Sequence, residues 1–549
     1  MLHELVVERF RGVRSARLSF DRTTVLIGEN DCGKSSLLEA MALVLSPLGR
    51  PPVVEPWQFH DDSGTAANAP MRIRLTFGES HAGSWDRPGL EALGPVIGAA
   101  GGRPRTLLVE LVAFPLASGG PSPASIQVRN PQGRASRDDL AVLDAVRRIN
   151  PLVWLQRGVM VGPSHPAAAG SASDVLPEAA EVLQRYARLS SGAWPEEREI
   201  ESGYAAAQEL LAQWAPVARD RGPGARAAVA EILGRALEPA GSTAPKAPPH
   251  GTIAQKLGVF LLTARLFEGL RPGSAPGIRP IIVIEEPESG LHAMTLASVW
   301  SLLERLDTQK IVTTHSGTLL SAAPLRSVRR LVRDAEGGVR EWRVRQGTLS
   351  KGDLRKVSYH LRARRSAACF ARCWLLVEGE TEYWLLPDLA RLLGHDLVQE
   401  GVACVEFAQS GLAPLVKLAR ALGIEWHVLA DGDRAGHDYE EVARSLMDHD
   451  QEELRLTVLR DRDVEHCFWR NGHAHVFERL ARLPADAHAP PGRVIEKAIE
   501  RRSKPGVAFE LLASVAAAGA TSAPASLRRA IEICVDLARD GSARATSRA

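Results

Sequence analysis

Short apolar runs punctuated by turn residues dominate the first third of the chain. Leu5-Val6-Val7 through Gly12, then Ala16 to Phe20 and Thr24 to Ile27, predict three strands, and a helix follows from Lys34 to about Leu45. Further strands are predicted at Met71 to Phe77, Thr106 to Phe114 and Ala124 to Val128, as the antiparallel part of a mixed sheet. From Glu178 to Leu237 the period becomes helical. Leu183, Tyr186 and Ala187, and later Leu210, Leu211 and Trp214, recur on common faces interrupted by Ser190-Ser191-Gly192. A Pro/Ala/Gly-rich stretch from Gly241 to Gly251 leads into a core helix, Ile253 to Phe267, and then the apolar strands Ile281 to Ile284 and Lys310 to Thr314. Polar and basic residues from Gly347 to Arg365 precede a new strand–helix pattern that begins at Cys373. The expected class is α/β with two domains: residues 1–355, carrying an inserted helical arm over about 175–240, and residues 366–549, ending in a helical region.

The length of 549 residues exceeds what one hydrophobic core organises, which agrees with two domains. With 45% hydrophobic and 24% charged residues the composition is that of a globular protein, and no apolar run is long enough to span a bilayer, so no membrane role is expected. A net charge of +2 confines any nucleic-acid surface to a local patch. The six cysteines lack paired spacing and the N-terminus does not resemble a signal peptide, so reduced thiols and a cytoplasmic location are expected, with nucleoid association as an option.

Chemistry enters at Gly28-Glu29-Asn30-Asp31-Cys32-Gly33-Lys34-Ser35, which fits the P-loop pattern between a strand and a helix. Backbone amides of such a loop cradle phosphates, assisted here by Gly28, Asn30 and Gly33. Lys34 reaches the terminal phosphates, while Ser35, beside Ser36, holds Mg²⁺. A second strand ends in Glu285-Glu286-Pro287-Glu288, where Glu285 would support Mg²⁺ and Glu286 would orient the attacking water. Together with Ser289-Gly290-Leu291-His292 and the later His315-Ser316, this order resembles an ABC-type ATPase head, and Arg9-Phe10-Arg11-Gly12 resembles the start of recombination-type and chromosome-maintenance-type heads. The resemblance implies ATP as ligand, a γ-phosphate contact for His315, a D-loop after the acidic pair, Gln58 as candidate for the glutamine loop, and a homodimer or larger assembly. His250-Gly251-Thr252-Ile253-Ala254-Gln255 stands where the family's signature belongs but departs from it, which argues against strong ATP hydrolysis.

The second chemistry is acidic. Cys373 to Val377 predicts a buried strand ending in Glu378-Gly379-Glu380-Thr381-Glu382, with Glu378 and Glu382 facing one side a helical turn apart. Trp426 to Ala430 predicts another, ending in Asp431-Gly432-Asp433-Arg434-Ala435-Gly436, where Gly432 would permit a tight turn. Oxygen ligands favour Mg²⁺ or Mn²⁺, and His466 and Cys467 have no matching partners for zinc. Either motif alone reads equally as a capped helix or a solvated turn. Together they resemble the Toprim fold of topoisomerases, primases and certain nucleases.

An ATPase head preceding a Toprim module resembles the OLD family of ATP-dependent endonucleases over essentially the whole chain. That resemblance implies a later acidic motif, matched by Asp463-Val464-Glu465-His466 with Asp463 and Glu465 as ligands, and a catalytic lysine, matched by Lys504. It also implies two-metal hydrolysis of DNA, with Glu378, Asp431 and Lys504 at the chemistry, in phage defence or repair and with a helicase as a partner. Arg355, Lys356, Arg362, Arg364 and Arg365 are candidate phosphate contacts, with a solvated linker as the plainer reading. The rival function is a non-cutting ATP-gated DNA clamp of the recombination-repair type. A topoisomerase would need a nucleophilic tyrosine, and Tyr383 and Tyr439 are near the motifs in sequence, but no strand-passage domain is evident.

Overall fold

A computed structural model describes residues 1–45, 52–60, 69–86, 90–97, 104–150, 152–156, 159–161, 281–289, 296, 300, 303–304, 308–360, 366–447, 452–483 and 489–544. The expected helical arm, the core helix Ile253 to Phe267, the degenerate signature, Leu291-His292, and Arg362, Arg364 and Arg365 lie outside these residues. The chain forms two compact units, Met1–Ala323 with Ser327–Glu341, and Trp342–Ala549 with Pro324–Arg326.

The strands are β1 (Leu2–Phe10), β2 (Val13–Ser19), β3 (Thr23–Gly28), β4 (Val53–Val54), β5 (Met71–Gly78), β6 (Thr106–Ala113), β7 (Ser122–Pro123), β8 (Ser125–Arg129), β9 (Leu152–Gln156), β10 (Val159–Val161), β11 (Ile281–Glu285), β12 (Gln309–Thr313), β13 (Val328–Arg333) and β14 (Gly338–Arg343). Among the described residues twelve of them form one mixed sheet, ordered β10-β9-β11-β12-β3-β13-β14-β2-β1-β5-β6-β8, while β4 and β7 pair separately. The sequence pattern explains its two characters. In β5, Met71, Ile73, Leu75 and Phe77 are buried at alternate positions, as in an antiparallel strand with one face on the core. In β11 and β12 every residue is buried, as in parallel strands covered on both faces. The helix Lys34–Leu45 packs Leu37, Leu38, Met41 and Val44 into the same core at helical spacing.

The second unit holds β15 (Cys373–Val377), β16 (Val402–Glu406), β17 (Glu425–Ala430) and β18 (Leu456–Val458), all parallel and ordered β16-β15-β17-β18. Its core is built from β15 with helices that include Glu380–Leu392, Pro491–Arg502, Lys504–Ala518 and Ala525–Arg544. Trp374 is fully buried, and its indole N–H donates to the Ala368 carbonyl at 2.8 Å. Because the four strands run the same way, their carboxyl ends open on one edge, where open α/β sheets bind ligands. Among the described residues no helix is long and apolar enough to cross a membrane.

Candidate active site

In the first unit β11, β12 and β3 are parallel neighbours, and their carboxyl ends release the candidate nucleotide residues together. After β3 the chain turns through Gly28, Asp31 and Gly33, all at positive φ. Gly33 sits at φ 99°, and a β-carbon there would come within 3.0 Å of Val13 Cγ2. Lys34 is buried and its ammonium donates to the carbonyls of Gly28 at 2.9 Å and Glu29 at 2.7 Å. Asn30 and Ser35 are exposed and Ser36 is half-buried at the start of the helix.

From the neighbouring strands come the acids. Glu285 is buried at the end of β11, and Glu286 follows at φ 46°, its amide donating to the Thr313 carbonyl at 3.0 Å. Such a left-handed conformation in a non-glycine residue is uncommon outside constrained sites. His315 Nε2 stands 3.9 Å from Glu286 Oε1. Burial, then the nearby Lys34, pulls the imidazole below its ordinary value against Glu286 and Glu288, so Lys34, Glu286 and His315 share one electrostatic neighbourhood. Glu288, to which the sequence reading gave no role, accepts from the Thr314 hydroxyl at 3.0 Å and from the His315 amide. It ties the acidic turn to the His315 turn. Gln58 is differently engaged: its side-chain oxygen accepts from the Glu55 amide at 2.9 Å, and its carbonyl from the Arg11 amide at 2.7 Å.

The acidic residues of the second unit gather at the carboxyl ends of β15 and β17. These strands pair Val377 with Leu429, so Glu378 and Asp431 emerge at the same end, one position apart in register. Glu382 follows in the first turn of the helix Glu380–Leu392 and is buried. Asp433 caps the helix Arg434–Leu446 by accepting from the Gly436 amide at 2.8 Å. Asp463 caps Val464–Phe468, accepting from the amide of His466 at 2.8 Å and facing its Nδ1 at 2.6 Å. Buried Glu465 accepts from the Thr381 hydroxyl at 2.8 Å. Lys504 arrives from another helix: a β-carbon on Gly379 would stand 3.1 Å from Glu382 Oε2 and 3.9 Å from Lys504 Nζ. The residue before it, Ser503, has φ 65° and ψ 162°, a region that is essentially glycine's and costs a side chain about 1–3 kcal/mol.

Electrostatics describe the same cluster. Burial, then Glu382, Glu378, Asp463 and Glu465, pushes Asp431 up to about 9. Burial, with Glu465 and Glu378 adding to it against Lys504 and its own backbone amide, pushes Glu382 up to about 7. Glu378 is raised by burial and Asp433 and lowered by Lys504. Oε2 of Glu378 and of Glu382 are buried without a hydrogen-bond partner. Among the described residues no three His, Cys, Asp or Glu groups already converge as ligands. Oxygen-only donors with partnerless buried oxygens fit a hard divalent cation, whose charge would favour the ionised carboxylates.

Gly432 serves the turn after Asp431 by its lack of a side chain rather than by a left-handed φ. A β-carbon there would meet the carbonyls of Asp461 at 2.4 Å and Leu459 at 2.6 Å, so glycine lets the Asp431 turn press against the strand-end loop. Tyr439 lies beside the acidic edge, its hydroxyl raised by burial and then by Glu378 and Asp433, with its ring edge-on to Phe407 at 4.8 Å. Thr381 was inside the motif, but its bond to a residue far along the chain had no local signal. Arg355 and Lys356 are exposed on the helix Lys351–His360.

Comparison with known proteins finds relatives of both units. A family model described as "Protein of unknown function (DUF2813)" matches residues 1–100 and 192–368, and one described as "Overcoming lysogenization defect protein-like, TOPRIM domain" matches 369–433. The "Uncharacterized protein YbjD" of Escherichia coli (strain K12) is 35% identical over 98% of this chain and 99% of its own. This chain belongs to the OLD family of ATPase–Toprim proteins. The "Old nuclease" of Escherichia phage P2 is 30% identical to this OLD-family chain over 28% of each protein. The "C-terminal region of the Burkholderia pseudomallei OLD protein" is 24% identical, with 31% of this chain and 99% of that one covered at a TM-score of 0.27. The DUF2813 match spans the P-loop and the acidic strand β11, and the OLD-like Toprim match spans β15, β16 and β17 of the four-stranded sheet.

Proposed function

We propose that this OLD-family chain is a metal-dependent DNA endonuclease whose ATPase head binds ATP and regulates assembly or cutting, acting as a homodimer or larger assembly. The observation that carries the reading is the acidic edge of the second unit. Glu378 and Asp431 end two adjacent parallel strands, and Glu382, Asp433, Asp463, Glu465 and Lys504 gather around them. Glu378, Glu382, Asp431, Asp433, Asp463 and Glu465 would hold Mg²⁺ or Mn²⁺, which when bound supplies the charge and the polarised water that phosphodiester hydrolysis requires. Lys504 places a cation beside the carboxylates, where it neutralises charge growing on the phosphate in the transition state. Asp433 and Asp463 are oriented by the helix amides that they cap, and Glu465 by Thr381. In the head, Gly28, Asn30, Gly33, Lys34, Ser35 and Ser36 would receive the phosphates and, with Glu285, their Mg²⁺. Glu286 would orient water, and His315 would face the γ-phosphate.

The test is conversion of supercoiled plasmid to nicked and linear forms by purified protein with Mg²⁺ or Mn²⁺, with and without ATP. Metal-dependent products that fall at least 100-fold in Asp431→Ala and in Glu378→Ala are the expected result. An intact plasmid under every metal and nucleotide condition, with ATP-dependent DNA binding retained, would establish the non-cutting clamp instead.

A further inference from the structure

Large aromatic side chains rarely stay in water without a use, and two of them stand together near the acidic edge. Trp384 is 46% exposed and Phe509 is 52% exposed, with ring centroids 6.4 Å apart. Tyr383 packs its ring against Trp384 nearly edge-on, at 5.6 Å and 77°, which buttresses the indole. Trp384 belongs to the helix Glu380–Leu392 that carries Glu382, and Phe509 to the helix Lys504–Ala518 that begins with Lys504.

Both helices start at the carboxylate cluster, since Lys504 Nζ and Glu382 Oε2 converge on Gly379. They therefore run side by side from that edge, and the rings meet a short way down the seam. Phe509 lies five residues beyond Lys504, about 8 Å along the axis at the helical rise, which spans roughly two stacked nucleotides. Arg501 and Arg502, exposed at the end of the preceding helix, add cations next to Lys504 in the chain. Cations for phosphates beside half-exposed aromatic rings are the combination that grips a strand whose bases are open. In a duplex the base faces are covered by their neighbours, so it offers these rings nothing to stack on.

We propose that Trp384 and Phe509 form a stacking platform for an unpaired base next to the phosphate held at Lys504. The preferred substrate is then DNA with a single-stranded stretch at the cutting position. This deepens the nuclease reading and rests on it for the scissile phosphate.

The test uses full-length protein in EDTA and an oligonucleotide carrying 2-aminopurine, whose fluorescence is quenched on stacking, beside a blunt duplex of the same length. Trp384→Ala and Phe509→Ala should each weaken single-strand binding by roughly 5- to 100-fold and reduce the quench, with duplex affinity within about twofold. Trp384→Phe, which keeps a ring, should bind close to wild type and shows that loss in the alanine variant is not misfolding. Unchanged single-strand affinity, or equal loss on both ligands, overturns the platform. So does a shift to smaller assemblies in sedimentation with single-strand affinity unchanged, because the rings would then cover a second copy of the chain. Ring-dependent binding by a wild type that cuts nothing with Mg²⁺ or Mn²⁺ sinks the nuclease reading and leaves the platform standing. Metal-dependent cutting without ring dependence does the reverse.

Discussion

Thr381 shows how much one hydroxyl can decide. It is buried, and its hydrogen bond to Glu465 Oε1 joins the start of the helix Glu380–Leu392 to a carboxylate 84 positions further along the chain. Removing the donor leaves a buried carboxylate oxygen unpaired, at a cost of about 1–3 kcal/mol, and frees the carboxylate to rotate. Thr381→Val keeps the shape and loses the bond, so Mn²⁺ affinity measured by calorimetry should fall at least 10-fold, as for other residues that orient metal ligands. Thr381→Ser, which retains the hydroxyl, should restore it. Unaltered Mn²⁺ affinity in the valine variant would mean that Thr381 supports only the fold. Ser503 acts at the same scale from the other side of the cluster, its strained backbone setting the direction from which Lys504 enters.

Strand β17 carries its own pH sensitivity. His427 is fully buried, its Nδ1–H donates to the Leu454 carbonyl at 3.0 Å, and the Thr457 hydroxyl of β18 donates to Nε2 at 2.9 Å. Burial first, with Arg455 and Arg529 adding to it, lowers the ring to about 4 although the Leu454 bond opposes this. A folded value below the ordinary 6.5 means that protonation favours the open chain. The stabilisation is therefore complete above about pH 6.5 and is lost as pH falls toward 4, to a total of roughly 3 kcal/mol. Hydrogen exchange of peptides covering β17 and β18 should accelerate across that window in the wild type and much less in His427→Gln; parallel pH profiles would assign the acid sensitivity to other groups. The same strands show what was readable beforehand. Cys373–Val377 and Ile281–Glu285 are continuous or nearly continuous apolar runs because both faces are buried, and their acidic ends follow from the motifs, whereas Gln309–Thr313 is equally buried with only Ile311 and Val312 apolar. The strand Val328–Arg333 was not legible. Its Arg329 is buried through ion pairs with Asp21 and Glu341, partners that sequence spacing does not reveal. Nor could spacing separate a helix cap from a metal ligand at Asp433 and Asp463, since both uses place a short carboxylate before a helix.

At the scale of the molecule, the P-loop and the acidic edge lie in different compact units, each with its own core. Each chemistry can therefore be removed without unmaking the other, and any influence of one on the other must appear as coupling between intact sites. Asp431→Ala should abolish cutting while ATP hydrolysis stays within about twofold of wild type, because Asp431 and the P-loop belong to different compact units with separate cores. Lys34→Ala should lower nucleotide affinity at least 10-fold, since its ammonium is the buried cation of the loop, and should erase any difference between cutting with and without ATP. Glu286→Gln isolates the remaining step. It keeps the size of the side chain and removes its capacity as base, so binding persists while hydrolysis falls by about 100-fold or more. Plasmid cutting by this variant with ATP should then match wild type with a non-hydrolysable analogue, above the nucleotide-free rate if the bound state activates and below it if that state restrains. Loss of ATPase activity in Asp431→Ala would overturn the separation, because the head would then depend on an intact acidic edge for its own turnover.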